Sequence, residues 1–335
     1  MTPATAFRGK TVALFGLGGS GLATARALQA GGATTHCWDD GQAGRDKAAA
    51  EGLTVTDLNL ADWSDFSSLI LAPGVPLTHP EPHWVVDKAI AAGVEIIGDI
   101  EVFCRERAKS APDAPFIAIT GTNGKSTTTA LIAHMLKTTG CDVQMGGNIG
   151  FNILDLEPPA QKRFHVIEMS SFQIALTPSL QPTIGVMLNV TPDHLDRHGT
   201  LEDYAAIKER VVASARVAIC GVDDAPSKMM ADRRSDAKQT LIRFSVGGRL
   251  PSGITVRGGR IAHMEGGEEM DVADLANITS LRGAHNAQNA AAATAVGLTL
   301  GLSISNSSFF KCRLYYFNHT GKRIIALFKF LNISI

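Results

Sequence analysis

Cysteine is scarce in this 335-residue chain, and its spacing pairs nothing. Cys37, Cys104, Cys141, Cys220 and Cys312 are odd in number and far apart, with no Cys-x-x-Cys. That excludes a disulfide framework and a thiolate zinc site, and points to free thiols in a reducing compartment. Neither sign of charge dominates: 31 Lys or Arg face 32 Asp or Glu, a net charge of −1. A general binder of nucleic acid or of membrane surfaces is expected to be basic, so neither is expected as a partner. No uninterrupted apolar run approaches the ~18 residues of a membrane span. The N-terminal MTPATAFRGK has no apolar run after its basic residues, so no signal peptide is expected. Aromatics make up only 6%, whereas apolar residues reach 45% and charged residues 19%. There is ample material for buried cores and no compositional case for disorder. The expectation is a cytoplasmic α/β protein of two or three domains.

Short β-rich runs alternate with helical segments, which implies parallel sheets with crossover helices. Strands are expected at Thr11–Phe15, Thr34–Trp38, Leu69–Ala72 and Glu95–Ile97, with helices at Leu22–Ala30 and Val85–Ala92. The small, polar, Pro-bearing stretch Ala108–Pro115 marks a domain boundary. A second α/β unit follows, with strands at Phe116–Thr120, Phe164–Met169, Thr183–Asn189 and Val217–Cys220. Its helices are expected at Thr127–Thr138, Leu201–Ala215 and Asn286–Thr299, with a Gly-rich meander over Leu241–Asp271. The division expected is 1–107, 108–302 and 303–335.

The strongest chemical signal is Gly121-Thr122-Asn123-Gly124-Lys125-Ser126-Thr127, between the strand FIAIT and the helix TTTALIAHML. A glycine-rich turn there aims backbone N–H groups at an anion, and the helix N-terminus adds partial positive charge. Lys125 would reach the β- and γ-phosphates and Ser126 would offer a hydroxyl to Mg²⁺. The spacing is shorter than GxxxxGK[ST], since Ile119 stands six before Lys125. A second signal, Gly16-Leu17-Gly18-Gly19-Ser20-Gly21, fits GxGxxG after a strand, with Asp39 and Asp40 about 20 residues on. Alone it is compatible with NAD(P), with another diphosphate, or with an empty tight turn. Third, Glu168-Met169-Ser170-Ser171-Phe172-Gln173 follows the strand ending HVI. A carboxylate at that edge is where a Mg²⁺-side acid is expected, against the plainer reading of a loop glutamate. Fourth, Asn189 to His198 (NVTPDHLDRH) carries two histidines and two aspartates, which suit a hard cation or phosphate, or else a polar loop with capping aspartates. Lys208 reads by default as a solvated helix lysine, beside Glu202, Asp203, Glu209 and Arg210. Asn286 and Asn289 read as helix-start residues.

In this order the strings GTNGKST, EMSSFQ, NVTPDHLDRH, DYAAIKERV and GAHNAQNAAAA resemble the Mur ligases of peptidoglycan synthesis, ATP-dependent amide-bond formers with three domains. GLGGSG, LAPGVP, GDIEVF and the Ser-Ser-Phe-Gln tetrapeptide are most similar to the D-glutamate-adding branch, over about Lys10 to Leu302. The resemblance implies a Rossmann-like first domain holding the UDP part of UDP-N-acetylmuramoyl-L-alanine, and a central P-loop-type ATPase domain. Gly18, Ser20 and Gly21 would then lie against the diphosphate, Asp39 and Asp40 beside the uridine, and Pro73 and Gly74 along the substrate. Gly121 to Thr127 would contact ATP phosphates, and Asn286 and Asn289 its adenine side. It further implies two Mg²⁺ sites drawing on Ser126, Glu168, His194 and Lys208, the last as a carbamate, with Asn148 and His194 near the substrate. Such an enzyme is expected to act as a monomer.

From Ser303 to Ile335 there is no Asp or Glu, against five Lys or Arg, and seven of the chain's 20 aromatics lie there. The resemblance stops near Leu302, where the family's third domain should follow, so residues for D-glutamate go unassigned and weak turnover is expected. The stretch is read as anomalous: a basic aromatic stretch of this kind suits an amphipathic interaction segment, the lack of any clear period argues against that, and an aberrant reading frame or an artefactual terminus is the other source. The competing functions are a folylpolyglutamate-synthetase-like ligase, an NAD(P)-dependent oxidoreductase and a non-catalytic nucleotide binder.

Overall fold

The computed structural model describes residues 1–275 and 283–302, and the backbone of two short antiparallel strands at Tyr315–Phe317 and Arg323–Ile325. The expectations for the rest of 303–335 lie outside the described residues.

Near the N-terminus, β1 (Thr11–Phe15), β2 (Thr34–Trp38), β3 (Ser68–Leu71) and β4 (Glu95–Ile97) form a parallel sheet in the order β2-β1-β3-β4. The four residues of β3 and the last four of β1 are all buried, as strands covered on both faces must be. The associated helices are α1 (Gly19–Gly31), α2 (Gln42–Ala50), α3 (Trp84–Ala91) and α4 (Asp99–Ser110). α1 begins three residues before the expected Leu22 and stops at Gly32. Its left-handed φ of 87° lets its N–H return to Gln29 and Leu28 carbonyls, a conformation glycine adopts without a Cβ penalty. Because β2 and β3 lie on opposite sides of β1, a crevice opens at their carboxyl ends, the usual ligand position in such sheets.

The second sheet has nine strands: β5 (Phe116–Thr120), β6 (Asp142–Gly147), β7 (Arg163–Glu168), β8 (Ile184–Met187), β9 (Val217–Gly221), β10 (Thr240–Ser245), β11 (Gly253–Arg257), β12 (Arg260–Glu265) and β13 (Glu268–Asp274). Their order is β13-β12-β11-β10-β9-β8-β5-β7-β6. Pairing is parallel from β6 to β11 and antiparallel from β11 to β13. The expected meander is therefore confined to β11–β13. β10 is parallel to β9 because a helix that sequence pattern did not reveal, α9 (Ala225–Asp236), crosses between them. Its apolar residues are few, and the Asp224 side chain caps it at Ser227 N–H.

The remaining helices are α5 (Lys125–Thr138), α6 (Ser171–Ala175), α7 (Leu195–His198), α8 (Leu201–Ala213) and α10 (Ala284–Thr299). In α10 the buried Ala290 to Ala293 and Ala295 present almost no side-chain bulk, so the helix lies close against α5 and β9–β11. The 107/108 division falls inside α4, which runs to Ser110, and Arg107 donates to the Ala114 carbonyl. One apolar cluster joins Phe7, Ile97 and Phe103 to Phe116, Ile167 and Ile174, so the two sheets share a core across this connection. The fold is a parallel-sheet α/β architecture, as the alternation of strands and helices implied.

Candidate functional site

Three of the chemical strings, together with Asn148, lie at the carboxyl ends of parallel strands of the second sheet. GTNGKST follows β5, EMSSFQ follows β7, NVTPDHLDRH follows β8, and Asn148 follows β6. β7 and β8 flank β5, so these loops crowd around the phosphate-type turn.

That turn uses its glycines for space. Gly124 has φ 84°, and a Cβ there would collide with Oδ1 of Asn289 on α10. α5 has no side-chain cap at its N-terminus, which leaves a helix start suited to an anion. Lys125 Nζ donates to the carbonyls of Gly121 (3.1 Å) and Thr122 (2.8 Å). Burial lowers its pKa, while Glu168 and Asp193 oppose the shift. Ser126 Oγ donates to Glu168 Oε2 at 2.8 Å, and Asn148 Nδ2 donates to Glu168 Oε1 at 3.0 Å. Glu168 is 2% exposed. Asn289 accepts from Thr128 Oγ1 at 3.2 Å and donates to Asn286 at 3.5 Å.

Lys208 corrects the default reading of a solvated helix residue. It is 1% exposed, with Nζ 2.8 Å from the Gly121 carbonyl and 3.2 Å from Thr120 Oγ1. Burial first, then the Lys125 cation, bring its pKa down to about 7, against the pull of Asp193 and Glu168.

His194 has a half-exposed side chain, with Nε2 3.5 Å from Asp193. Its backbone is left-handed (φ 52°), uncommon for a non-glycine residue. Phe172 places its ring 5.3 Å from His194 and stacks on His198 at 5.0 Å, with the Arg197 guanidinium 4.9 Å away. Ser171 Oγ and His198 Nε2 are 2.8 Å apart. Arg197 reaches the first unit, donating to the Gly74 carbonyl at 3.3 Å.

In the first sheet, Gly18 caps α1 with no side-chain bond, and a Cβ on Gly21 would strike the Gly16 carbonyl. Ser20, Gly21, Pro73 and Asp99 line one cleft at the β1/β3 carboxyl ends. The two aspartates divide. Asp39 turns inward and accepts from Leu17 N–H (2.6 Å) and Gly41 N–H (2.7 Å), so its carboxylate braces the glycine turn. Asp40 faces His83 Nε2 (3.0 Å) and Trp84 Nε1 (3.3 Å) on the rim.

Residues 119–297 match the Mur ligase middle domain. The chain belongs to the Mur ligase family. Among relatives of this Mur ligase chain, a UDP-N-acetylmuramoylalanine--D-glutamate ligase of Nitrobacter hamburgensis is 59% identical over 305 residues, covering 90% of this chain and 66% of that protein. The enzyme of the same name from Agrobacterium fabrum is 58% identical over 303 residues, covering 90% and 65%. The chain thus spans about two thirds of the length of these curated relatives. Among solved structures, a UDP-N-acetylmuramate:L-alanyl-gamma-D-glutamyl-meso-diaminopimelate ligase from Neisseria meningitides shares the fold, with TM-score 0.57, 17% identity, and 88% of this chain and 95% of that chain covered. A MurF ligase from Thermotoga maritima in complex with ADP gives TM-score 0.52 at 15% identity, covering 94% and 68%.

Three residues of this Mur ligase chain were given no role by the sequence reading, and a fourth was seen without its partner. Asp99, in the first-sheet cleft, has its pKa pushed up to about 6 by burial, against bonds from Ile100 N–H and Gln173. Its signal was available: like Asp39, it stands just past a strand end. His83 and Trp84 carried none, because the Asp40 contact is tertiary. His198 was seen only as one of a polar group, and its pairing with Ser171 depends on the approach of two loops.

Proposed function

We propose that this chain carries the substrate- and ATP-binding parts of a UDP-N-acetylmuramoyl-L-alanine:D-glutamate ligase of peptidoglycan synthesis. The observation that supports it best is the convergence of Lys125, Ser126, Glu168 and Asn148 at the carboxyl ends of β5–β7, beside the buried amine of Lys208. With 58–59% identity to curated enzymes of that name, the arrangement favours this ligase over a folylpolyglutamate-type relative. The oxidoreductase reading loses support at Asp39, whose carboxylate is already engaged by the turn that would hold a dinucleotide.

In this reading Gly18, Ser20 and Gly21 hold the diphosphate of the UDP-substrate, with Asp40 toward the uridine and Pro73 and Gly74 along the sugar arm. The first turn of α5 and Lys125 bind the ATP phosphates, and Asn286 and Asn289 take the adenine side. Among the described residues no three His, Cys, Asp or Glu side chains are gathered to hold a metal. A hydroxyl and one carboxylate, Ser126 and Glu168, nevertheless fit Mg²⁺, which keeps water and phosphate oxygens as its other ligands. His194 and a carbamate on Lys208 would serve a second such ion. Bound there, Mg²⁺ supplies charge neutralisation on the phosphates. The substrate carboxylate attacks the γ-phosphate of ATP with release of ADP, and the amine of D-glutamate then attacks the resulting acyl phosphate and displaces phosphate, forming the amide. The chain's own contribution is positioning and electrostatics. We place the protein in the cytoplasm, in keeping with its unpaired Cys37, Cys104, Cys141 and Cys220.

Calorimetric titration with UDP-N-acetylmuramoyl-L-alanine and with NADH tests the reading. Binding of the former without the latter is expected, and the reverse overturns it.

A further inference from the structure

We infer that Asn189 and Gln288 form a brace that sets the conformation of the phosphate loop and ties it to α10, making both of them positioning residues for ATP.

Asn189 lies just past β8 and meets the loop with every polar atom it can spare. Its carbonyl accepts from Thr122 N–H at 2.9 Å, and its side-chain Oδ1 accepts from Asn123 N–H at 2.9 Å. Its Nδ2 donates to the Asn123 carbonyl at 3.2 Å and to Gln288 Oε1 at 2.8 Å. The amide orientation is fixed by this set. Only an oxygen can face the Asn123 N–H, which leaves the nitrogen for the two acceptors. Gln288 is buried on α10, next to Asn289, and the Oδ1 of Asn289 occupies the space a Gly124 Cβ would need. The loop is gripped from the β8 side by Asn189 and from the α10 side by Asn289, and the Asn189–Gln288 bond joins the two grips. Thr122 and Thr191 add a reciprocal pair, Thr122 Oγ1 to Thr191 O at 3.1 Å and Thr191 N–H to Thr122 Oγ1 at 3.0 Å.

One consequence is specific. The N–H groups of Thr122 and Asn123 point to Asn189, so phosphate recognition falls to Gly124 and the first turn of α5. The first half of the loop is a strut. Without the Asn189 side chain, the N–H and carbonyl of Asn123 and the Gln288 Oε1 lose partners, while the Thr122 N–H keeps its backbone acceptor. The turn gains alternative conformations, so its phosphate-binding half is no longer pre-formed.

The proposal rests on the reading of this loop as the ATP site. The test is calorimetric titration of the full chain with Mg-ATP and, separately, with UDP-N-acetylmuramoyl-L-alanine, for wild type, Asn189→Ala, Gln288→Ala, the double variant and Lys125→Ala. Asn189→Ala is expected to weaken ATP about tenfold and Gln288→Ala about threefold. The double variant should match Asn189→Ala within about twofold, since Gln288 acts through Asn189. UDP-substrate affinity should hold within about twofold throughout, which a general loss of structure would not allow. Asn189→Ala binding ATP like wild type while Lys125→Ala does not overturns the brace and spares the ATP site. Parallel loss of both ligands also overturns it. A wild-type chain with no ATP binding overturns the ATP site and the brace with it. If Asn189→Ala does not fold, Gln288→Ala alone decides, by an ATP affinity lowered or unchanged.

Discussion

Lys208 donates to the carbonyl oxygen of Gly121 at 2.8 Å, and Lys125 donates to that same oxygen at 3.1 Å. Two amines converge on the first residue of the phosphate loop, and one of them is wholly buried. Burial first, and the neighbouring Lys125 cation second, bring the pKa of Lys208 down to about 7.

A stability consequence follows with a definite sign. The unfolded amine titrates at its ordinary 10.5 and the folded one near 7. Between these values the unfolded state holds the extra proton, so stability rises with pH, and the cost of burying the cation is complete below about 7. In CO₂-free buffer, Lys208→Met should raise the melting temperature at pH 6.5 by roughly 5 °C, a gain that shrinks toward pH 10. A scanning-calorimetry series in which the variant is less stable at pH 6.5 contradicts this.

The same neutral amine is the form that reacts with CO₂. Incubation with ¹³C-bicarbonate should give a carbamate resonance at pH 8 that fades at pH 6 and is absent in Lys208→Met. A signal independent of pH, or retained in the variant, assigns the modification elsewhere.

Little of this was visible in the residues alone. Flanked by Glu202, Asp203, Glu209 and Arg210, Lys208 reads as part of an exposed helix face. It is buried because α8 packs against β8 and β5, beneath the phosphate loop. By contrast β1, β2, β4 and β5 fell on their expected residues, since each is a short run rich in β-branched and apolar residues stopped by glycine or polar residues. GTNGKST was legible for the same reason: strand, turn and helix are contiguous in sequence. Asn189 and Gln288 are 99 residues apart, and only the sheet order brings them together. Asp39 could be flagged from its spacing, but whether it faces a ribose or its own turn is a matter of side-chain direction.

Glu168 tests the cation assignment. Glu168→Gln keeps a group able to bond to Ser126 and Asn148 but loses the charge. ATP binding is expected to lose most of its Mg²⁺ dependence, at a cost of about tenfold or more in affinity at saturating Mg²⁺. Unchanged Mg²⁺ dependence removes Glu168 from the metal.

Glu106 is buried and accepts from Thr5 Oγ1 (2.9 Å) and Ala6 N–H (2.8 Å), pinning the N-terminal segment to α4. Glu106→Ala should destabilise the chain by about 2–3 kcal/mol, read as a lower urea midpoint with an unchanged slope. A midpoint equal to wild type shows the segment to be held by Phe7 and its apolar neighbours alone.

The two ligand sites are the centre of the functional reading, and Lys125→Ala separates them. Titrated with Mg-ATP and with UDP-N-acetylmuramoyl-L-alanine, this variant should lose ATP affinity by about a hundredfold and bind the UDP-substrate as wild type does. Wild-type affinity for ATP in Lys125→Ala would contradict the assignment of the β5–α5 turn as the nucleotide site.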